Sequence, residues 1–345
     1  ISVLEEYQRN IRLPAEPEES PSSREAAADL ENKQKSQKPV IDYEDLNHGK
    51  KEYEQLSLTK TVQHTRAFIK IQDGCSQFCS YCIIPYARGR VRSRQPEDVL
   101  SEIRSLAEAG YKEVVLTGIH LSSYGIDFEG SSTGLLQLIE NVHRIEGIRR
   151  IRLGSLEPGI ITEEFASALA GMEKICPHFH LSLQSGCDTV LRRMNRRYDT
   201  AEYAGRCEIL RRFFLHPAIT TDVIAGFPGE TEEEFAQTEQ FLEQMHFYEM
   251  HIFKYSKREG TKAARMEAQV PEPVKAARSA RLIALGVRMS KKYRDEMIGQ
   301  TGEVLLEEPL VYEEKLYYTG YTKEYVKIAV ECQSDRSNAF VRGKI

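Results

Sequence analysis

No run of about 18 apolar residues occurs anywhere in this 345-residue chain, so a membrane-crossing helix is not expected. The opening Ile1-Ser-Val-Leu-Glu-Glu6 lacks a basic segment and an apolar core, so it does not read as a secretory signal. Positive charge is not in excess: 47 Lys and Arg face 52 Asp and Glu, for a net charge of −5. That excludes an all-over nucleic-acid binder and leaves any RNA contact to local basic patches. A disulfide framework is also missing, because the seven cysteines are odd in number and three are bunched, which points to a reducing, cytoplasmic setting. The dispersed Cys176, Cys187, Cys207 and Cys332 read as small buried apolar side chains. No cysteine precedes Cys75, and there is no initiator Met. What remains is ordinary for a globular chain, 41% hydrophobic and 29% charged, and long enough for a sizeable core and more than one domain.

The most informative stretch is Asp73–Tyr86, whose Cys75, Cys79 and Cys82 stand at C-x3-C-x2-C spacing directly after an apolar run, Ala67–Ile71. Three thiolates on one short loop can converge on one metal centre, and soft sulfur suits an iron–sulfur cluster, zinc or copper(I). A structural zinc site is closed by four ligands and an electron-transfer cluster takes four cysteines. Three cysteines leave a coordination position open, and an open position is where chemistry happens.

Along the chain, residues 1–13 read as the end of a helix belonging to something larger. Residues 14–60, rich in Glu, Ser, Ala, Lys and Pro, read as a linker with too little apolar surface to offset ordering entropy. From Arg66 short apolar runs alternate with helical periods. Strands are expected at 67–72, 113–117, 150–154, 178–183, 219–225 and 247–255, with helices at 96–109, 135–145, 162–170, 188–213 and 231–245. The first helix opens on Pro96 with Glu97 and Asp98 in its first turn and Gly110 beyond its end. The last carries Thr231 and Glu234 in a capping-box pattern. Six βα repeats imply an α/β fold with a mostly parallel sheet, either a barrel, a partial barrel or an open doubly wound sheet. A long basic helix is expected over 274–297, then short alternating strands at 302–306, 316–321 and 325–330, which make a small β-barrel module.

Ligands of parallel α/β folds gather at the carboxyl ends of strands. There the sequence offers Gly118, the pair Ser155 and Glu157, Gln184, and Gly226-Phe227 ahead of the capped helix. Arg88, Arg90, Arg92 and Arg94 alternate just after the cysteines. Read as an extended segment, they form a row of guanidiniums suited to phosphate and base contacts. A second basic group is Arg192, Arg193, Arg196 and Arg197. His64, His120 and His251 read as structural.

Five stretches carry a resemblance: HTRAFIKIQDGC over 64–75, YCIIPYARGRVRSR over 81–94, LTGIHLSSYG over 116–125, LSLQSG over 181–186 and DVIAGFPGET over 222–231. Together they resemble the radical S-adenosylmethionine (SAM) methylthiotransferases, and within them the threonylcarbamoyladenosine branch. The resemblance runs from about residue 60 to the C-terminus and implies a partial (βα)6 radical SAM core over 61–298. It implies an RNA-binding TRAM-like module over 299–345, incomplete by one strand, although eight acids against six Lys and Arg lie between 300 and 345. Cys75, Cys79 and Cys82 would hold a [4Fe-4S] cluster whose open iron chelates SAM. No catalytic residue is implied beyond those that hold the cluster. Tyr81, Gly118, Ser155, Glu157, Gln184, Arg197, Gly226 and Phe227 would contact the cofactor, and Arg88, Arg90, Arg92 and Arg94 the RNA. A radical formed from SAM would take hydrogen from C2 of a modified adenosine in a tRNA anticodon loop. Sulfur and a methyl group would follow, with a reductant such as flavodoxin or ferredoxin supplying electrons. The family also binds a second [4Fe-4S] cluster through three N-terminal cysteines. Those are absent here, so residues 1–13 are expected to be the remnant of that domain and this chain to cleave SAM without completing methylthiolation. Alternatives are a methylthiotransferase for isopentenyladenosine or a ribosomal protein, or a non-catalytic tRNA-binding remnant.

Overall fold

The computed structural model describes Tyr53, residues 65–130 and residues 134–345; the expectations for residues 1–13, for most of 14–60 and for His64 lie outside the described residues. Strand β1 (Arg66–Asp73) leads into the cysteine loop and the short helix α1 (Ile84–Ala87), then β2 (Arg92–Ser93) and α2 (Pro96–Glu108). There follow β3 (Glu113–Gly118), α3 (Leu135–His143), β4 (Arg150–Leu153), α4 (Glu163–Ala170) and β5 (His178–His180). Next come α5 (Asp188–Arg193), α6 (Thr200–Phe213), β6 (Ala218–Ala225), α7 (Glu232–Met245), β7 (Glu249–Lys254) and the long α8 (Glu272–Met297).

Six parallel strands follow one another in the order of the sequence. β1, β3 and β4 form one sheet with β2 antiparallel on its edge, and β5, β6 and β7 form another. Parallel bridges Ile151–Ile175 and Leu156–Leu181 join the two sheets, so the sheet is a half-barrel. Helices pack on its outer face because alternate strand residues point there. Ile69, Leu116, Ile151, Phe179 and Val223 share one core with Val99 and Ile103 of α2 and Leu138 of α3. Each such fully buried side chain contributes about 1.5–3 kcal/mol.

The expected elements are present with shifted ends. The span 188–213 is two helices rather than one, parted by Asn195 in a left-handed conformation at φ +60°. The capping box of α7 forms as its residues imply, with Thr231 Oγ accepting from Glu234 N–H and Glu234 accepting from Thr231 N–H. Glu234 also receives Arg193 and Thr189, and the Arg193 hydrogen bond leads in holding its carboxyl at about 2, below the ordinary 4.5. A depressed carboxyl adds stability that is complete above its unfolded pKa and lost as pH falls through the folded one. Glu234→Gln is therefore expected to flatten the acid limb of a pH–stability curve between about pH 4.5 and 2, read by thermal melts at stepped pH.

The C-terminal region departs from expectation. β8 (Thr301–Tyr312), β9 (Lys315–Tyr321), β10 (Lys327–Glu331) and β11 (Phe340–Lys344) form an antiparallel sheet in the order β10-β9-β8-β11. β11 is a strand beyond the three expected, with Phe340 opposite Leu305. This sheet seats against the amino ends of the half-barrel strands through buried arginines. Arg150 donates to Tyr321 O at 2.9 Å and Glu303 O at 2.6 Å, and Arg152 donates to Lys323 O at 3.0 Å.

Candidate cluster and substrate site

The cysteine loop is built by its backbone before any side chain acts. Gly74 has φ +69°, and a Cβ there would lie 1.9 Å from Arg90 O, so only glycine allows the chain to close. Cys75 N–H then donates to Gly89 O at 3.0 Å, and Cys82 N–H to Cys79 O at 3.0 Å. The loop is tied to the far side of the half-barrel. Ser80 donates from its backbone to Met194 O at 2.9 Å and from its side chain to Arg193 O at 2.8 Å. Asn195 donates to Phe78 O at 2.9 Å.

All three cysteines are free and half-buried. Burial pushes the Cys75 and Cys82 thiols up, and the neighbouring thiols of the loop add to it. Three soft donors on one loop fit an iron–sulfur cluster with one uncommitted corner, since Cys176, Cys187 and Cys207 are buried elsewhere.

Arg196 lies at the centre of the site. Its guanidinium donates to Cys79 Sγ at 3.3 Å, Tyr198 Oη at 2.8 Å and Ser182 O at 3.3 Å. Burial opposes its charge, but Tyr198, Tyr81 and Cys79 more than offset this and hold its pKa above the usual value. A fixed cation against a ligating sulfur offsets negative charge on a bound cluster and raises its potential. Arg196 was legible only as one of four arginines, because its sulfur partner lies 117 residues away.

The other expected residues are distributed as follows. Tyr81 packs edge-on to Phe227, with centroids 6.4 Å apart. Phe227 itself is fully buried with Tyr255 and Met194, so its ring supports the loop and only its backbone can face a ligand. Gly118 abuts Gln72, where a Cβ would come within 2.9 Å of Oε1; close packing between β1 and β3 accounts for this glycine. Ser155 Oγ meets Ser182 Oγ at 2.9 Å. Glu157 faces His120 Nε2 at 3.5 Å, and the His120 hydrogen bond leads in lowering its pKa. Arg197 is exposed and lowers the same carboxyl. Gln184 lies beyond the end of β5 at φ +75°, its backbone bridging to β6, which marks a strained junction of the kind found beside ligands. Gly226, at φ +72°, lies under Lys275.

The row of four arginines does not form. Gly89 turns the chain at φ +73°, and only Arg92 and Ser93 are extended as β2. Arg94 is buried against Glu102, and Arg92 pairs with Asp73 at 3.3 Å. Arg88 and Arg90 remain at the surface, Arg88 with Asp73 at 3.7 Å. The carboxylates Asp73 and Glu102 come from outside the stretch, which is why its lack of acids misled.

Inside the half-barrel two aromatic side chains are open. Phe68 on β1 is 48% exposed and Phe253 on β7 is 54% exposed, Phe68 on the face opposite to buried Ala67 and Ile69 and Phe253 opposite to Ile252, which packs on the core. His180, Asp222 and His251 line the same inner face, from β5, β6 and β7. His251, expected to be structural, is exposed. Alternation in single strands could have found these positions, once the strand boundaries were known.

Comparison with known proteins bears on this geometry. The chain is 45% identical over 294 residues to the threonylcarbamoyladenosine tRNA methylthiotransferase MtaB of Bacillus subtilis (strain 168), covering 85% of this chain and 65% of that protein. It is 42% identical over 258 residues to a tRNA-2-methylthio-N(6)-dimethylallyladenosine synthase of Acetivibrio thermocellus, covering 75% and 53%. The chain thus spans a little over half to about two thirds of the length of these relatives. Its fold is similar to coproporphyrinogen III oxidase of Escherichia coli, with a TM-score of 0.51 at 15% identity, over 76% of this chain and 68% of that one. That likeness concerns the fold alone. The radical SAM superfamily profile matches residues 69–242, half of the sequence, from within β1 to within α7, and the chain belongs to the radical SAM superfamily.

Proposed function

We propose that this chain is the radical SAM core of a tRNA methylthiotransferase acting at C2 of N6-threonylcarbamoyladenosine in an anticodon loop. The observation that carries the reading is the three-thiol loop, with its Arg196 cation, at the mouth of a half-barrel whose inner face exposes Phe68 and Phe253. Cys75, Cys79 and Cys82 would hold the cluster, and Tyr81, Ser155, Glu157, Gln184 and Arg197 surround the place for SAM. When bound, the cluster and SAM supply a reducing electron and a carbon-centred radical, chemistry that no side chain provides. The protein's part is to orient the base, exclude water and fix Cys79 through Arg196.

The threonylcarbamoyl substituent is polar, as is the inner face at His180, Asp222 and His251; an apolar isopentenyl group suits that wall less well. Arg88 and Arg90 offer phosphate contacts beside the mouth. Residues 61–298 form the catalytic unit in this reading, and 299–345 form a TRAM-like module. A flavodoxin- or ferredoxin-type reductant in the cytoplasm fits an unoxidised cysteine set. Mass spectrometry of tRNA nucleosides from a strain lacking the gene tests the substrate. Loss of 2-methylthio-threonylcarbamoyladenosine is expected; loss of the isopentenyl product instead would reassign it.

Stacking on an exposed ring is worth about 1–3 kcal/mol per base. Phe253→Ala is therefore expected to weaken binding of an anticodon stem-loop about 5- to 150-fold while cluster iron stays unchanged, as measured by fluorescence anisotropy at fixed salt.

A further inference from the structure

The inner wall of the half-barrel carries a second constellation, separate from the cysteine loop. Among the described residues, His180, Asp222 and His251 are the one group whose ligand atoms all lie within 4.8 Å of one another. Strand register brings them together: Asp222 is directly opposite His251, and His180 is opposite Thr220, two residues before Asp222 on the same face. Three adjacent parallel strands thus aim three donors at one point. The rings of His180 and His251 are 5.6 Å apart, and His180 Nε2 is 3.2 Å from Asp222 Oδ2.

We propose that His180, Asp222 and His251 bind a divalent transition-metal ion of the zinc class inside the half-barrel. Two imidazoles and a carboxylate are a donor set such ions favour, with coordination positions left open. At zinc–ligand distances of about 2.0–2.2 Å, two ligands of a tetrahedral site stand roughly 3.3 Å apart, and the His180–Asp222 separation matches that edge. The other ring nitrogen of His180 lies 3.0 Å from Thr220 Oγ. When Nδ1–H donates to that hydroxyl, the Nε2 lone pair faces a carboxylate oxygen, and two Lewis bases so placed call for a cation between them. Held in this way, His180 has the outer partner typical of a metal-ligating histidine. His251 is exposed to the lumen, so the open positions face whatever enters the half-barrel. The ion would polarise an oxygen ligand there.

The full chain carrying its reconstituted cluster is titrated anaerobically with zinc chloride, with uptake read by calorimetry and the ligand shell by zinc-edge X-ray absorption. We expect one zinc ion per chain with only nitrogen and oxygen neighbours, and binding more than about 100-fold weaker in His251→Ala, since loss of a ligand exceeds loss of an outer partner. Asp222→Asn should behave alike; if it fails to fold, His251, exposed on β7, still decides the matter. No uptake beyond the cluster, sulfur in the zinc shell, or unchanged affinity in His251→Ala would overturn the site and leave a hydrogen-bonded His–Asp pair. The methylthiotransferase reading does not depend on this outcome.

Discussion

Cys82→Ala leaves a folded chain that cannot keep its cluster: iron after anaerobic reconstitution falls from about four per chain to a small remainder, and reductive SAM cleavage disappears. Only three soft ligands serve the centre, and no other thiol can replace one of them. Cys176, Cys187 and Cys207 are at most 2% exposed, the last two within packed cores. Cys332 lies just after β10 in the C-terminal sheet, so Cys332→Ala should retain full iron content and cleavage. Because burial pushes the Cys75 and Cys82 thiols up, assembly must release their protons. Iron loading and electron paramagnetic resonance of the reduced protein check the result. A Cys82→Ala variant with wild-type iron would show that the cluster is not held by this loop.

Glu113→Ala is expected to cost about 3–5 kcal/mol, the penalty for stranding buried charge. Glu113 accepts from Arg152 at 2.9 Å and faces Arg150 at 3.7 Å, and all three side chains are almost completely buried. The two arginines in turn hold the carbonyls of Glu303, Tyr321, Thr322 and Lys323. Loss of the carboxylate therefore loosens the C-terminal sheet from the half-barrel as well as lowering stability. Urea unfolding should show the loss, and amide exchange should accelerate over residues 301–344. The exposed Lys315–Glu331 pair, 58% exposed on each side, is the contrast: its removal should change stability by about 1 kcal/mol or less. A Glu113→Ala cost as small as that would mean that the arginines find other partners.

Much of the half-barrel was legible because its strands and helices carry strong periods. Ile69 and Ile71 alternate with Phe68 and Lys70, and Val99, Ile103 and Leu106 share a helical face. The capping box at Thr231 and Glu234 is local and appeared as read. Features set by distant partners were not legible. Arg92 and Arg94 looked like a surface row because Asp73 and Glu102 lie outside their stretch. The break at Asn195 carries no proline or glycine, and its left-handed turn is stabilised by contacts to the cysteine loop. Strand β11 is short and ends in Gly343-Lys344, and it is defined by pairing with β8. His180, Asp222 and His251 sit on separate strands, so only register could assemble them. The cysteine spacing, by contrast, stated its chemistry within eight residues.

The most direct test is to reconstitute the chain anaerobically with iron and sulfide, then add dithionite and SAM and quantify 5′-deoxyadenosine. About four irons per chain and 5′-deoxyadenosine formation that depends on Cys75, Cys79 and Cys82 are expected. Zinc in the cysteine loop, or a loaded cluster that leaves SAM intact, would contradict the radical SAM reading.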